Sequence, residues 1–392
     1  MAPCQHAPNP FRTVPVRSGA SIGLAKETAS HRVKGLSLDG MMQRCSSRDV
    51  PAMTASRRCW PGAPMVNWQR CCGPRHSTAW AWGGSSSIAD VDGVPVFVKR
   101  VPITDRELAH PHSTANLFGM PVRWQYGMYR LAGPGFGAWR ELAANQSVTE
   151  GVLAGESESF PLLHHWRVLP GRPPVAAEHL DIDAVVAQFG GNQAVRARFE
   201  ALAGATASLV LFLEHLPDEL PRWLSDPVGR AAAVERQLFE MVAFLRNREM
   251  LHLDGHFGNI RADEERLYLV DFGLATSPRF DLSDAERHFA ARNAGHDADY
   301  ASMRLVNWLA TSVCGVPGPV GGGPVARDQF VRRCAAGDIP PDLPPPVGEI
   351  IARHAPAAAR MNDFCWRLFD GDLQAEYPGN GNTVQIVADR AS

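Results

Sequence analysis

The alternation of apolar and polar positions changes character near residue 76. Before that point no hydrophobic period is sustained, and after it short extended runs give way to helical stripes. "SSIADV" and "VPVFVKRV" flank Asp92-Gly93, which predicts a β-hairpin. "AWGGSSS" ahead of them reads as a strand ending in a small-residue turn. Together they predict a three-stranded antiparallel start with Lys99 near the end of the third strand. Residues 104–137, with several Gly and Pro, read as irregular. "AWRELAANQSVTEGVLAG" reads as a helix with Trp139, Leu142, Val148 and Val152 on one face. "FPLLHHWRVL" and "SLVLFLEHL" read as strands, with a helix around "AVRARFEALAGA" between them and "PDELPRWL" as the turn that follows. "RAAAVERQLFEMVAFLRNR" is a helix whose stripe is Val234, Leu238, Met241, Val242 and Leu245. "RLYLVDFG" is a short strand reached across the "RADEER" turn. Helical segments are expected near 283–312. After the break "GVPGPVGGGP", "MNDFCWRLF" is the helix expected to pack back.

At 392 residues and 45% hydrophobic, the chain can bury a large core, and its length predicts two domains or lobes. No stretch approaches a membrane span, and the N-terminus lacks the pattern of a signal peptide. A cytoplasmic location is therefore the expectation. The net charge of -2 hides an asymmetry: residues 1–80 hold eleven Lys or Arg and three acids, the remainder 28 and 38. The basic part is rich in Ser, Pro, Gly and Cys, and reads as a poorly ordered extension over residues 1–75. It has no basic cluster with interleaved aromatics, so no nucleic-acid partner is expected. Five of the eight cysteines lie there, no CxxC pair exists, and Cys314, Cys334 and Cys365 are isolated, which predicts reduced thiols and no zinc site. Lysine occurs only at Lys26, Lys34 and Lys99, in a chain that otherwise uses Arg as its cation. A compact ammonium differs from a planar guanidinium, so Lys99 invites a specific role.

The chemistry-bearing pieces follow in order: the Gly/Ser turn, Lys99 in "VFVK", a helix carboxylate, a buried strand with a polar exit, "HLDGHFGN" and "DFG". In that order they resemble the protein kinase-like superfamily, whose signatures are V-A-I-K, H-R-D-L-x-x-x-N and D-F-G. The resemblance covers roughly residues 76–312. It implies an α+β, two-lobed kinase-like fold: an antiparallel-sheet N-lobe over 76–216 and a mainly helical C-lobe over 217–392. It also implies ATP and Mg²⁺ as cofactors and γ-phosphate transfer to a hydroxyl acceptor. Asp254 would orient or accept the hydroxyl proton. Asn259 and Asp271 offer hard oxygens suited to Mg²⁺. Lys99 would reach the nucleotide phosphates, held by Glu141, with Glu150 and Glu107 as alternatives. Gly83, Gly84 and Ser85 would cover the phosphates, or form an ordinary tight turn. Glu214 to Leu216 would present backbone groups to adenine, with Leu213 at the back of the pocket. His252 would brace the loop and Phe272 would orient Asp271.

His256 departs from the Lys common two residues after the Asp in protein serine/threonine kinases. In this respect the loop is similar to the HGDxHxxN loop of aminoglycoside and choline phosphotransferases and the HxDxHPGN loop of the ubiquinone-biosynthesis kinase-like family. Those families usually lack an intact DFG. His256 could stabilise phosphate charge when protonated, fix Asp254, or serve structure alone. No A-P-E follows DFG. Thr276 and Ser277 are candidate phosphorylation sites, but Leu253 stands where an arginine would receive the phosphate. Asp297 and Asp299 read either as braces of the loop or as exposed helix-end acids. By family prevalence the acceptor is a protein Ser or Thr. A small-molecule phosphotransferase is the alternative, and a nucleotide-binding pseudokinase the second alternative. Retention of Lys99, Asp254, Asn259 and Asp271 speaks against the last.

Overall fold

The computed structural model describes residues 78–80, 84–91, 93–126, 135–175, 179–319 and 325–379. The basic extension over 1–75 and Gly83 lie outside them. Five strands form one sheet: β1 (Thr78–Trp80), β2 (Gly84–Val91), β3 (Val94–Ile103), β4 (Leu163–Pro170) and β5 (Ala207–Glu214). Their spatial order is β1-β2-β3-β5-β4, and every neighbouring pair is antiparallel. The expected β2–β3 turn is present, with Asp90 Oδ1 accepting from the Gly93 amide at 3.0 Å and Gly93 at φ 83°. Ser85 and Ser86 do not form the expected turn. They are already strand residues, paired with Arg100 and Lys99.

Strand β3 sits at the centre of the sheet, and its period of two divides its side chains. Phe97, Lys99, Val101 and Ile103 share one face; Val96 and Val98 share the other. A long helix, α2 (Ala138–Leu153), covers the first face through Trp139 and Leu142, packed with Val101, Ile103, Leu209 and Leu211. The opposite face gathers Ala89, Val96, Val98, Val210 and Phe212. The single lysine of this region is thus flanked by apolar neighbours on the α2 side of the sheet. Alternation there is enough to aim it inward.

Between β3 and α2 the chain is more regular than its Gly and Pro content predicts. A short helix, α1 (Asp105–Ala109), begins with a capping box in which Thr104 and Glu107 satisfy each other's amides. Its signal was the Thr-x-x-Glu spacing rather than a hydrophobic stripe, which five residues cannot display. A 3₁₀ turn follows at Val122–Gln125. Glu107 is 1% exposed and saturated with donors: its Oε2 accepts from the Thr104 amide and hydroxyl at 2.8 and 2.7 Å, and its Oε1 from the Ala138 amide at 2.8 Å. Arg198 Nη1 lies 2.9 Å from Oε2, an ion pair whose angle is poor for a hydrogen bond. Glu107 therefore ties α1 to the start of α2 and is not available to Lys99. Burial opposes its charge, but Arg198 and the Thr104 donors prevail and hold its pKa below the usual 4.5. The stability it contributes is present above that value and lost as pH falls through the lowered pKa. Glu107→Gln leaves Arg198 buried without its counter-ion and should cost about 3–5 kcal/mol. Urea denaturation at neutral pH checks this; a change under about 1 kcal/mol would show the pair to be dispensable.

The remainder is mainly helical. Helices α3 (Ile182–Gln188) and α4 (Gln193–Ala203) lie between β4 and β5 in sequence. After β5 come α5 (Leu220–Leu224) and α6 (Pro227–Asn247), whose Val234, Leu238, Met241 and Leu245 enter the largest core cluster while Val242 packs against it half-buried. The hairpin β6 (Ile260–Ala262) and β7 (Leu267–Leu269) follows, then α7 (Asp284–Arg292), α8 (His296–Ser312), α9 (Val325–Ala335) and α10 (Pro345–Phe369). Helix α10 is much longer than the expected "MNDFCWRLF". Three prolines obscure it, two at its first turn, where a missing amide costs nothing, and Pro356 inside it. Together these elements give an α+β protein with one antiparallel sheet and a mostly helical remainder. Among the described residues no helix is long and apolar enough to cross a membrane.

Candidate active site

Asn259 and Asp271, twelve positions apart in sequence, become neighbours because the β6–β7 hairpin returns the chain on itself. Asn259 precedes β6, Asp271 follows β7, and the Val270 amide donates to the Asn259 carbonyl at 2.9 Å. The turn is built by Asp263, whose Oδ1 accepts from the Glu265 and Arg266 amides and whose Oδ2 accepts from Tyr268. Gln237 of α6 clamps the same turn, donating to Glu265 O and accepting from the Leu267 amide. Asp271 stands at φ 66°, a left-handed conformation that a non-glycine residue holds only where its surroundings require it. Phe272, 1% exposed, supplies part of that requirement by packing edge-on to His252 at 5.0 Å.

The loop that carries Asp254 is braced from three sides. Leu251 and Thr276 exchange backbone hydrogen bonds of 2.9 Å, tying it to the segment after Asp271. His252 Nε2 faces Val270 O at 3.1 Å, and its Nδ1 accepts from the Asp254 amide at 3.3 Å. That pattern assigns the proton to Nε2 and leaves the ring neutral; burial also lowers its pKa. His252 is therefore a brace. Asp297 completes the loop, its two oxygens accepting from the His252 and Leu253 amides at 2.6 and 3.0 Å, with Leu253 held at φ 64°. Of the two readings of Asp297 and Asp299, exposure is excluded for both. Asp299 is 5% exposed and accepts from Tyr377 at 2.8 Å, bracing a different part of the fold. Asp297→Asn turns one acceptor into a donor that faces an amide, and hydrogen bonds to charged groups are worth about 1.5–3 kcal/mol each. Faster amide hydrogen exchange at 252–254 than in the wild type is expected; unchanged exchange would overturn the bracing role.

Within the loop Asn259 Nδ2 donates to Asp254 O at 2.9 Å and to Asp254 Oδ2 at 3.1 Å. Burial and then repulsion from Asp271 raise the Asp254 pKa well above its ordinary value, with Asn259 acting against them. His256 Nε2 lies 3.7 Å from Asp254 Oδ1, too far for a direct hydrogen bond. Its ring rests on Gly258, where an added Cβ would stand 2.7 Å from Cε1. Burial, then Arg304, lower its pKa to about 4, so His256 is neutral at neutral pH and offers no positive charge there.

Opposite this loop, Lys99 Nζ contacts Glu141 Oε1 at 2.7 Å and donates to Asp271 Oδ1 at 2.8 Å. Glu141, not Glu107 or the exposed Glu150, is the partner. Burial alone would lower the Lys99 pKa, but Asp271 and then Glu141 outweigh it and raise it above 10.5. Burial raises the Glu141 pKa, Lys99 partly offsetting it. Asp271 is held at about 2 by Lys99 and the Gly273 amide against the effect of burial. Its side chain is 41% exposed, so solvent in the cleft softens these interactions. Helix α2 is held in register by Arg140, next to Glu141, which donates to Glu286 of α7 at 2.6 Å and to Thr114 O at 2.6 Å.

The two sides enclose a cleft of about 830 Å³ of non-atom space, its mouth included. Its walls bring together Ser85, Lys99, Glu141, Glu214, Leu216, Asn259 and Asp271 with the apolar Phe97, Leu213 and Val270. Gly84 is placed at the start of β2 beside Trp80, while Asp254 and His256 stand on the loop next to Asn259 rather than in the wall. The Glu214 amide donates to Leu162 O at 2.8 Å and is spent, whereas no described residue accepts from the half-buried Leu216 amide. Sequence reasoning missed Ser86, Asn145, Pro161 and Arg261 in the same wall. Asn145 stands one helical turn after Glu141 and donates to its carbonyl at 2.8 Å, so helical spacing could have found it. Arg261 had no such signal. Thr276 and Ser277, candidate phosphorylation sites, are 3% and 1% exposed and closed to a modifying enzyme.

The donor set can be tested for a small hard cation. Asn259 spends its Nδ2 on Asp254, which leaves Oδ1, and Asp271 spends Oδ1 on Lys99 and Gly273, which leaves Oδ2. Two oxygens fit a Mg²⁺ ion that completes its octahedron with water and phosphate. Among the described residues no cluster of three or more His, Cys, Asp or Glu could hold a metal without such outside ligands. No protein-family model matches the chain, and no curated protein matches it in sequence.

Proposed function

We propose that the chain is a kinase-like phosphotransferase that moves the γ-phosphate of ATP to a hydroxyl, with the sheet and α2 as one lobe and the helical body as the other. The observation that carries this is Lys99 within 2.8 Å of both Glu141 and Asp271, across one cleft from the Asp254–Asn259 pair. The reading agrees with the motif resemblance in "VFVK", "HLDGHFGN" and "DFG".

The free Leu216 amide and the Phe97, Leu213 and Val270 side chains suit a flat heteroaromatic base. Lys99 holds the phosphates by charge, and Glu141 keeps the ammonium aimed. Asn259 Oδ1 and Asp271 Oδ2 would hold Mg²⁺, which neutralises phosphate charge when bound. Asp254 accepts the hydroxyl proton as the new oxygen–phosphorus bond forms and the bond to the leaving diphosphate breaks. Burial and Asp271 raise its pKa, which makes it a stronger base than an ordinary carboxylate. Ordered ATP turnover requires no phosphorylated switch, because Lys99–Glu141 is already closed and Thr276 and Ser277 are buried.

A protein Ser or Thr acceptor remains the reading from family prevalence. The small-molecule alternative is favoured by the segment after Asp271, which is short and pinned: Gln125 Nε2 donates to Leu274 O at 2.7 Å, and Thr114 Oγ1 accepts from the Asp281 amide at 2.8 Å. Incubation with γ-labelled ATP and Mg²⁺ tests the function. Label transferred by the wild type and lost in Asp254→Ala supports it, and equal ADP release from both overturns it.

A further inference from the structure

Arg304 of α8 is the least explained cation near the candidate site. Its guanidinium carbon lies 5.4 Å from the centre of the Phe257 ring, and Phe257 sits between His256 and Gly258 on the Asp254 loop. Its Nε is buried without a hydrogen-bond partner, and no described residue forms an ion pair with it. The stacking on Phe257 is weak compensation for the buried Nε of this half-buried side chain. Arg140 differs in its counter-ion: its Nη1 is also buried without a partner, but Glu286 and Thr114 O accept from its other nitrogens. The charge of Arg304 acts on Asp254 and His256 and on Arg327 of α9. Arg327 is also half-buried with an unpartnered Nε. Two cations on two helices thus share one neighbourhood and repel each other, with Asp328 beside Arg327 and Asp254 on the side of Arg304 as the acids that act on them. A guanidinium held in this state is suited to a carboxylate or phosphate brought from outside.

Resting on the phosphotransferase reading, we propose that the acceptor carries an anionic group, phosphate or carboxylate, close to its reacting hydroxyl, and that Arg304, assisted by Arg327, binds that group beside Asp254. A cationic acceptor of the aminocyclitol or choline kind is disfavoured by the same two charges. Neutral His256, whose Nε2 lies 3.7 Å from Asp254 Oδ1, adds no competing positive charge. The shared chemistry, a hydroxyl next to an anion, is met by a small phosphorylated alcohol and by a serine flanked by acids.

Equilibrium titration of the full chain keeps this proposal separate from turnover. The probes are glycerol 3-phosphate, choline, and a short Ser peptide flanked by Asp, each titrated calorimetrically into wild type, Arg304→Gln, Arg304→Lys and Arg327→Gln. Lys99→Met serves as a control for anion binding at the phosphate side of the cleft. Glycerol 3-phosphate or the acidic peptide should bind the wild type and weaken about tenfold or more in Arg304→Gln. Arg327→Gln should weaken it less, and Arg304→Lys should restore part of it. Which of the two anionic probes binds distinguishes small molecule from peptide. Equal binding in wild type and both glutamine variants, loss only in Lys99→Met, or preferential binding of choline would each overturn the proposal. Should Arg304→Gln fail to fold, Arg327→Gln and Arg304→Lys still decide it. Anion binding that depends on Arg304 in a chain that releases no ADP would remove the phosphotransferase reading while leaving the anion site in place.

Discussion

Asp254→Ala should lower phosphate transfer by about 10²–10⁴-fold, the usual worth of a positioned acid or base. ATP binding should change little, because Asp254 stands beyond the cleft wall that holds Lys99, Asn259 and Asp271. The substitution also frees Asn259 Nδ2 from its 3.1 Å contact with the carboxylate, while its bond to the Asp254 carbonyl at 2.9 Å survives. The Asn259 amide should therefore keep its orientation. Stability should not fall, since the Asp254 carboxylate is disfavoured as an ion by burial and by Asp271. Turnover measured with saturating ATP, beside thermal unfolding, checks both halves. A variant that unfolds earlier and turns over normally would give Asp254 a structural role instead.

Lys99→Met should abolish nucleotide binding and cost stability as well. The ammonium is the counter-ion of Glu141, whose side chain is 4% exposed, and removing one member of such a buried pair costs about 3–5 kcal/mol. Asp271, open to the cleft, should contribute little to that loss. Glu141 has a raised pKa already and can escape the penalty by taking a proton. The destabilisation should consequently be smaller in mildly acidic than in mildly alkaline buffer, because the folded state then binds the extra proton more readily. In the wild type the sign for Lys99 is the reverse of a carboxylate's: its contribution holds below 10.5 and fades as pH rises through the raised value. Pairing Lys99→Met with Glu141→Leu should return most of the stability and none of the nucleotide affinity. Recovery of both would show that Lys99 acts only as a structural partner.

Much of this arrangement is legible in the sequence because it is carried by local patterns. The hairpin at Asp92-Gly93 follows from turn chemistry, and the inward aim of Lys99 follows from period-two alternation in β3. The closeness of Asn259 and Asp271 follows from two short strands around a turn. Where elements lack a stripe the pattern fails. Helix α1 announces itself only by its cap, and α10 hides behind Pro356. The serines of "GGSSS" fall in a strand, since small polar residues can occupy a strand as readily as a turn.

Long-range pairings are a different matter, because residue type does not name a distant partner. The sequence favoured Glu141 over Glu150 and Glu107 as the partner of Lys99 without excluding either; packing gave Glu107 to Arg198 and Thr104, Glu141 to Lys99, and Glu150 to solvent. Asp297 became a brace only when α8 was laid under the loop, and Thr276 was closed off only by its pairing with Leu251. Of the roles left open for His256, burial and Arg304 remove that of a positive charge at neutral pH, and the 3.7 Å gap removes a direct hydrogen bond to Asp254. The sequence by itself determined which chemical groups the protein has and which stand on the same strand or turn, since periodicity and turn geometry are local. Only the tertiary structure decided which charges meet and which, like Arg304, form no ion pair among the described residues, because burial and distance are properties of the packed chain.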